Sequence, residues 1–122
     1  MSETTLWTNS SPTSTSGFAA QTVTLSSSIS NFDYIGIYYK LSTDSTYTPE
    51  CAIFKKSDFT TFNATNTNNK YYGGLGGRLT TNRIRRIGYV SNTQVQFTAA
   101  ENTNNTGSVA TALIPTKIVG IK

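Results

Sequence analysis

The sequence predicts an all-β fold: an antiparallel β-sandwich, jelly-roll-like, with seven or eight short strands in a single domain covering residues 1–122. Three observations predict it. Runs rich in Val, Ile, Thr, Tyr and Phe recur at roughly 8–12-residue spacing, and Ser, Thr, Asn, Gly and Pro cluster between them. No stretch repeats its apolar residues at the helical period. The chain has the size of one domain, yet only 36% of it is hydrophobic, so the core is thin and the faces are broadly polar.

The elements follow in order. Thr5-Leu6-Trp7-Thr8 is the first strand. Pro12 and Gly17 then forbid regular pairing across Asn9 to Gly17. Phe18 to Leu25 is the second strand, with Val23 and Leu25 on one face. Ser26 to Asp33 is a turn region that drops Ile29 and Phe32 into the core. Tyr34 to Leu41 is the longest strand, and alternation puts Ile35, Ile37, Tyr39 and Leu41 together, opposite Tyr34 and Tyr38. Pro49 closes the next loop, and Cys51 to Lys56 is the fourth strand. Asp58 to Phe62 reads as a short fifth. Arg83 to Val90 and Gln94 to Ala99 form a hairpin about Asn92-Thr93, with Val95, Phe97 and Ala99 inward. Leu113 to Ile121 ends the chain as a strand, and Pro115 forces an edge position or a bulge near its start. Trp7 near the beginning and Ile118, Val119 and Ile121 near the end suggest that the terminal strands pair, which would expose the Pro-Thr-Ser loop at one rim.

Composition removes most chemistry. Ser, Thr and Asn make up 47 of 122 residues; there are six carboxylates, one cysteine and no histidine. Without His, no Ser, Thr or Cys51 has the usual base to activate it. Cys51 reads as a small buried side chain on a strand. The acids Glu3, Asp33, Asp44, Glu50, Asp58 and Glu101 form no local pair and read as solvated or turn-capping groups. No calcium-loop or zinc spacing occurs. The expectation is therefore no enzyme, no metal and no cofactor. Met1 to Thr5 lacks a basic segment followed by an apolar run, so no ordinary secretory signal is expected, and three N-x-[ST] triplets at Asn9, Asn63 and Asn104 are discounted as glycosylation sites.

Several segments remain as interaction candidates. Gly73-Gly74-Leu75-Gly76-Gly77-Arg78 lacks the G-K-[ST] of a phosphate loop and reads as a tight turn or bulge with positive φ, or as a close backbone approach to a neighbouring subunit or flat ligand. In a strand, Arg83 and Arg85 face one way and Arg86 the other; a solvated sheet face accounts for them, with contact to a partner carboxylate or an anionic glycan as the alternative. The net charge of +4 comes with scattered lysines, so neither nucleic acid nor membrane is an expected partner. Candidate binding or interface residues are Tyr38, Tyr47, Tyr71, Tyr72, Arg83, Arg85, Asn66 and Asn104. The candidate loops are Asn9 to Gly17, Ser42 to Thr48, Asn63 to Lys70 and Glu101 to Gly107.

Two segments resemble a known group. Leu6-Trp7-Thr8-Asn9-Ser10-Ser11-Pro12-Thr13-Ser14, continuing to Phe18-Ala19-Ala20-Gln21-Thr22-Val23-Thr24-Leu25, is similar to an L-W-T-N-x-x-P-T-S…F-x-x-Q-T-V-x-L stretch in small structural domains of tailed phages and prophages of Gram-positive gut bacteria. Ile114-Pro115-Thr116-Lys117-Ile118-Val119-Gly120-Ile121-Lys122 resembles the I-P-x-K-I-x-G-I-K ending of the same group. The likeness covers about a quarter of the chain, at its two ends. It implies a bacteriophage virion protein, in a tail-fibre, baseplate or decoration role, made in the host cytoplasm and released by lysis. With the thin core it points to a homo-oligomer, a trimer, that contacts other virion proteins; the polar loops suit a surface facing bacterial cell-surface glycan, where many copies give avidity to weak single sites. A capsid-decoration or joining protein with a purely structural role is the alternative, and a carbohydrate-binding module the second alternative. The resemblance leaves open a stand-alone virion component or the last domain of a longer fibre protein.

Overall fold

A computed structural model describes residues 2–43, 50–61, 74–78, 82–102 and 108–122. Two antiparallel sheets form a sandwich. Its strands in chain order are β1 (Glu3–Thr8), β2 (Gln21–Thr24), β3 (Tyr34–Ser42), β4 (Glu50–Lys55), β5 (Gly74–Arg78), β6 (Asn82–Ser91), β7 (Gln94–Phe97), β8 (Glu101–Asn102) and β9 (Ala112–Ile121), with one helical turn, α1 (Lys56–Phe59), after β4. The first sheet runs β1-β9-β3-β4; the second runs β2-β7-β6-β5, with β8 also paired to β6.

The terminal strands do pair. Thr5 lies opposite Val119 and Trp7 opposite Ile118, and the register shifts between them. That bulge adds one residue to β1, so consecutive Leu6 and Trp7 both contribute to the core. Between the sheets, Ile35, Ile37 and Ile118 of the first face Val23, Ile87, Val95 and Phe97 of the second, and all seven are buried. Trp7, Phe18 and Phe97 form a ring cluster: the Phe18 and Phe97 centroids are 5.5 Å apart at 90°, and Trp7 is 6.0 Å from each. Each such pair contributes about 0.5–1.5 kcal/mol beyond area burial, which matters in a thin core. Tyr39 reaches across the sandwich, where its hydroxyl donates to the Gly76 carbonyl at 2.9 Å.

Several expectations are corrected. The second strand begins at Gln21 rather than Phe18. Asp58 to Phe62 is not a fifth strand: Lys56–Phe59 coils into a single turn, and Phe62 lies outside the described residues. The turn buries Phe59 between Phe54 and Tyr89, while the hydroxyls of Thr60 and Thr61 donate to the Lys56 and Ser57 carbonyls at its end. Gly73 lies outside the described residues, and the rest of the glycine run is not a turn: residues 74–78 are extended and pair with β6. A β-carbon at Gly77 would sit 2.3 Å from a Leu41 methyl, so glycine serves close approach to the chain's own facing sheet there. Ala100, not Ala99, is buried. Pro115 lies on a strand with neighbours on both sides, and the bulge alternative holds: the β3–β9 register jumps from Tyr38↔Lys117 to Tyr39↔Pro115.

Gly120 is a second close approach. A β-carbon there would fall 2.4 Å from the Phe32 ring, which lies flat on the β9 backbone. Gly120→Ala forces Phe32 out of the core and is expected to cost about 1–3 kcal/mol, read as a lower urea midpoint at unchanged m-value.

Candidate functional site

The fold sorts its connections between two ends. At one end lie Ser2 and Lys122, bonded to each other, and the Ser26–Asp33 segment, where Ile29 N–H donates to the Asn92 carbonyl of the β6–β7 turn. At the other end, Phe18 N–H donates to the Ala110 carbonyl and Thr43 N–H to that of Thr111. The Asn9 side chain donates to the Pro115 carbonyl. Thus the Asn9–Gly17 loop and the residues that flank 44–49 and 103–107 gather at the end opposite the termini. These belong to three of the four candidate loops. The loop itself is mostly exposed, and it is held by short-range bonds: Ser11 N–H to Asn9 Oδ1, and Gly17 N–H to the Ser14 carbonyl.

Tyr38 stands on the outer face of the first sheet, as alternation predicts. Its hydroxyl donates to the Glu3 carboxylate at 2.9 Å, and the Lys117 ammonium lies 4.5 Å from its ring centroid. Lys117 and Glu3 complete the triangle at 3.8 Å. This exposed ion pair contributes little alone. Its geometric effect is larger: Glu3 on β1 and Tyr38 on β3 meet across β9 at the row of Val119, which is buried although it lies on the outer face. Glu3 and Lys117 were missed by the sequence reading, because nothing local links residues so far apart in the chain. Cys51 is a correction. It is exposed on this same face, beside Tyr38 in the register, not buried. Desolvation by its neighbours, then the Glu3 charge, push its thiol up, so it is a poor nucleophile at neutral pH.

Arg85 is the larger correction. It does share a side with Arg83, but that side is the interior. Arg85 is fully buried, Arg83 half-buried and Arg86 exposed. The Arg85 guanidinium donates from Nε to the Leu113 carbonyl at 2.9 Å and from Nη2 to the Ala112 carbonyl at 3.0 Å. From Nη1 it donates to Phe18 and Thr98 carbonyls at 3.0 and 2.8 Å. Successive carbonyls on a regular strand point opposite ways. Leu113 breaks that alternation with a φ of +50°, so both carbonyls at the start of β9 reach one guanidinium. The Phe18 ring packs 5.2 Å from its central carbon. Burial lowers the Arg85 pKa to about 10, still well above neutral, so the group remains charged. Charge-assisted hydrogen bonds contribute roughly 1.5–3 kcal/mol each, and four of them offset a desolvation cost of several kcal/mol. Arg83 Nε is buried without a partner among the described residues.

Tyr47, Asn66, Tyr71, Tyr72 and Asn104 lie outside the described residues. A shallow cleft of about 370 Å³ lies at the terminal end, lined by Asp33, Tyr34, Lys55, Lys56 and Ser57. Among the described residues no group of three His, Cys, Asp or Glu side chains could hold a metal ion, and no helix is long and apolar enough to cross a membrane. No protein-family model matches this chain, and no curated protein matches it.

Two outcomes follow from this geometry. Arg85→Lys replaces a fork of donors with one ammonium and leaves buried carbonyls unpaired, at a cost of about 3–5 kcal/mol in chemical unfolding. The second concerns alkaline pH. Glu3 hydrogen bonding, then desolvation, raise the Tyr38 pKa above its ordinary 10.0; desolvation, then the Glu50 charge, raise that of Tyr39. A raised folded pKa means stability that is complete below pH 10 and lost as pH climbs through the folded values. Unfolding midpoints should therefore fall above pH 10, and the fall should shrink in a Tyr38→Phe, Tyr39→Phe double variant.

Proposed function

We propose that this domain is a bacteriophage virion structural protein of the tail-fibre or baseplate kind that presents polar loops for recognition of a host-surface glycan. The observation that carries this reading is the sorting of the two ends. Three polar loop sites gather opposite the chain termini, on a sandwich whose terminal strands are paired into one sheet. Ser, Thr, Asn and Tyr supply hydroxyl, amide and ring faces, the groups that meet sugar hydroxyls and pyranose faces. The mechanism is binding on a rigid frame, with no proton transfer. The two sequence segments that resemble phage structural domains support it as well; they fall on the end of β1 with its adjoining loop, on β2 and on β9.

A purely structural role, in capsid decoration or joining, is the second reading. One observation favours it: Ile53 is 58% exposed on an edge strand, a feature suited to contact with other protein.

Co-sedimentation of the purified protein with Gram-positive cell walls tests the first reading. Binding is expected, and Tyr47→Ala or a Ser-Gly replacement of residues 10–16 should weaken it roughly tenfold, whereas Tyr38→Phe should not. Absence of binding to walls and to a glycan array, with retention by virion subunits, would establish the second.

A further inference from the structure

Among the described residues, four strands end the two sheets apart from the two-residue β8, and three of the four carry features that discourage pairing. β1 has a bulge, β2 is a four-residue Gln-Thr-Val-Thr run, and β5 is mostly glycine. β4 has none of these. Its six residues pair with β3 without a register shift, and it has no proline. Its middle outer-face residue is Ile53, the most exposed large hydrophobic side chain among the described residues.

The backbone of β4 has a defined free side. Lys56 N–H donates to the Asp33 carbonyl at 3.0 Å, which extends the ladder in which Lys55 meets Tyr34. Antiparallel parity then directs the amides and carbonyls of Glu50, Ala52 and Phe54 toward β3, and those of Cys51, Ile53 and Lys55 away from it. No described strand takes up that second set.

We propose that β4 pairs with β4 of a second copy of this chain, antiparallel and centred on Ile53. An antiparallel pair joins like faces, so the two-fold axis must pass through a residue position. Centring on Ile53 sets it against its own copy, with its free amide and carbonyl bonded reciprocally. The same register places Cys51 opposite Lys55 and brings Glu50 to the end of the partner's β4, next to Lys55 and to Lys56, which opens α1 and whose ammonium also lies 3.4 Å from the Ser30 carbonyl, at both ends of the contact. Centring on Ala52 instead sets Glu50 against Phe54 and offers no charge pair. Charge complementarity therefore selects the Ile53 register. The contact rests on the β4 edge alone and holds whatever the loops bind. It sends the two loop ends in opposite directions, and it gives two copies rather than three.

Light scattering of the full chain from micromolar to millimolar concentration should show a monomer–dimer equilibrium. Glu50→Lys and Lys56→Glu should each weaken it about tenfold, since each removes two pairs per dimer, and the double reversal should restore it. Ile53→Cys in a Cys51→Ser background should oxidise to a disulfide-linked dimer, because directly opposed bonded residues lie about 5.5 Å apart at Cα. A monomer at every concentration, a trimer, a double reversal no tighter than the singles, or failure of the cross-link would each overturn the proposal.

Discussion

One buried guanidinium organises the loop end of this sandwich. Arg85 sits on β6 of the second sheet, and its four bonds end on Phe18, Thr98, Ala112 and Leu113. Those residues are the approach to β2, the exit from β7 and the start of β9. A charge without a carboxylate partner is costly in an apolar interior. It is stable here because the backbone has been bent to meet it, through the positive φ of Leu113. The strain at one residue and the burial of one cation are thus parts of one arrangement, and each makes the other tolerable. The approach to β2, the exit from β7 and the start of the last strand are all positioned by what this group demands.

The rest of the fold follows from a shortage of apolar side chains. With 36% hydrophobic residues the interior holds little beyond one layer from each sheet. Aromatic contacts among Trp7, Phe18 and Phe97, the Tyr39 bond across the sandwich and the flat packing of Phe32 on Gly120 all bring the sheets close without adding bulk. On the outer face, the Glu3–Tyr38–Lys117 triangle extends burial to Val119, which lies beyond the core. Polar residues therefore do part of the covering that apolar ones do elsewhere, which leaves the loops at the far end free to consist of Ser, Thr and Asn.

This economy leaves β4 as the exception. Its exposed isoleucine and thiol are not needed by the chain's own core, and its second set of backbone groups has no described partner. Among the described strands, a sandwich that ends three edges with a bulge, a short polar strand and a glycine run, and leaves β4 regular with an exposed isoleucine, has an asymmetry that folding alone does not require.

Alternation along the chain was sufficient for much of this fold. It placed Ile35, Ile37 and Tyr39 together, turned Asn92-Thr93 into a hairpin, and brought Trp7 and Ile118 into paired terminal strands. It also put Arg83 and Arg85 on one side of their strand. It could not say which side, because a period of two is the same whether a face meets water or protein. Only the folded chain decided that, by bringing carbonyls from positions as distant as Phe18 and Leu113 to one guanidinium. The same holds for the single turn at Phe59 and for the glycines of β5. Each takes its conformation from a neighbour far away in sequence: Tyr89 in the first case, Leu41 in the second. Local pattern carries parity and chain reversal, while burial of a charge or the approach of a backbone depends on contacts that exist only once the two sheets have met.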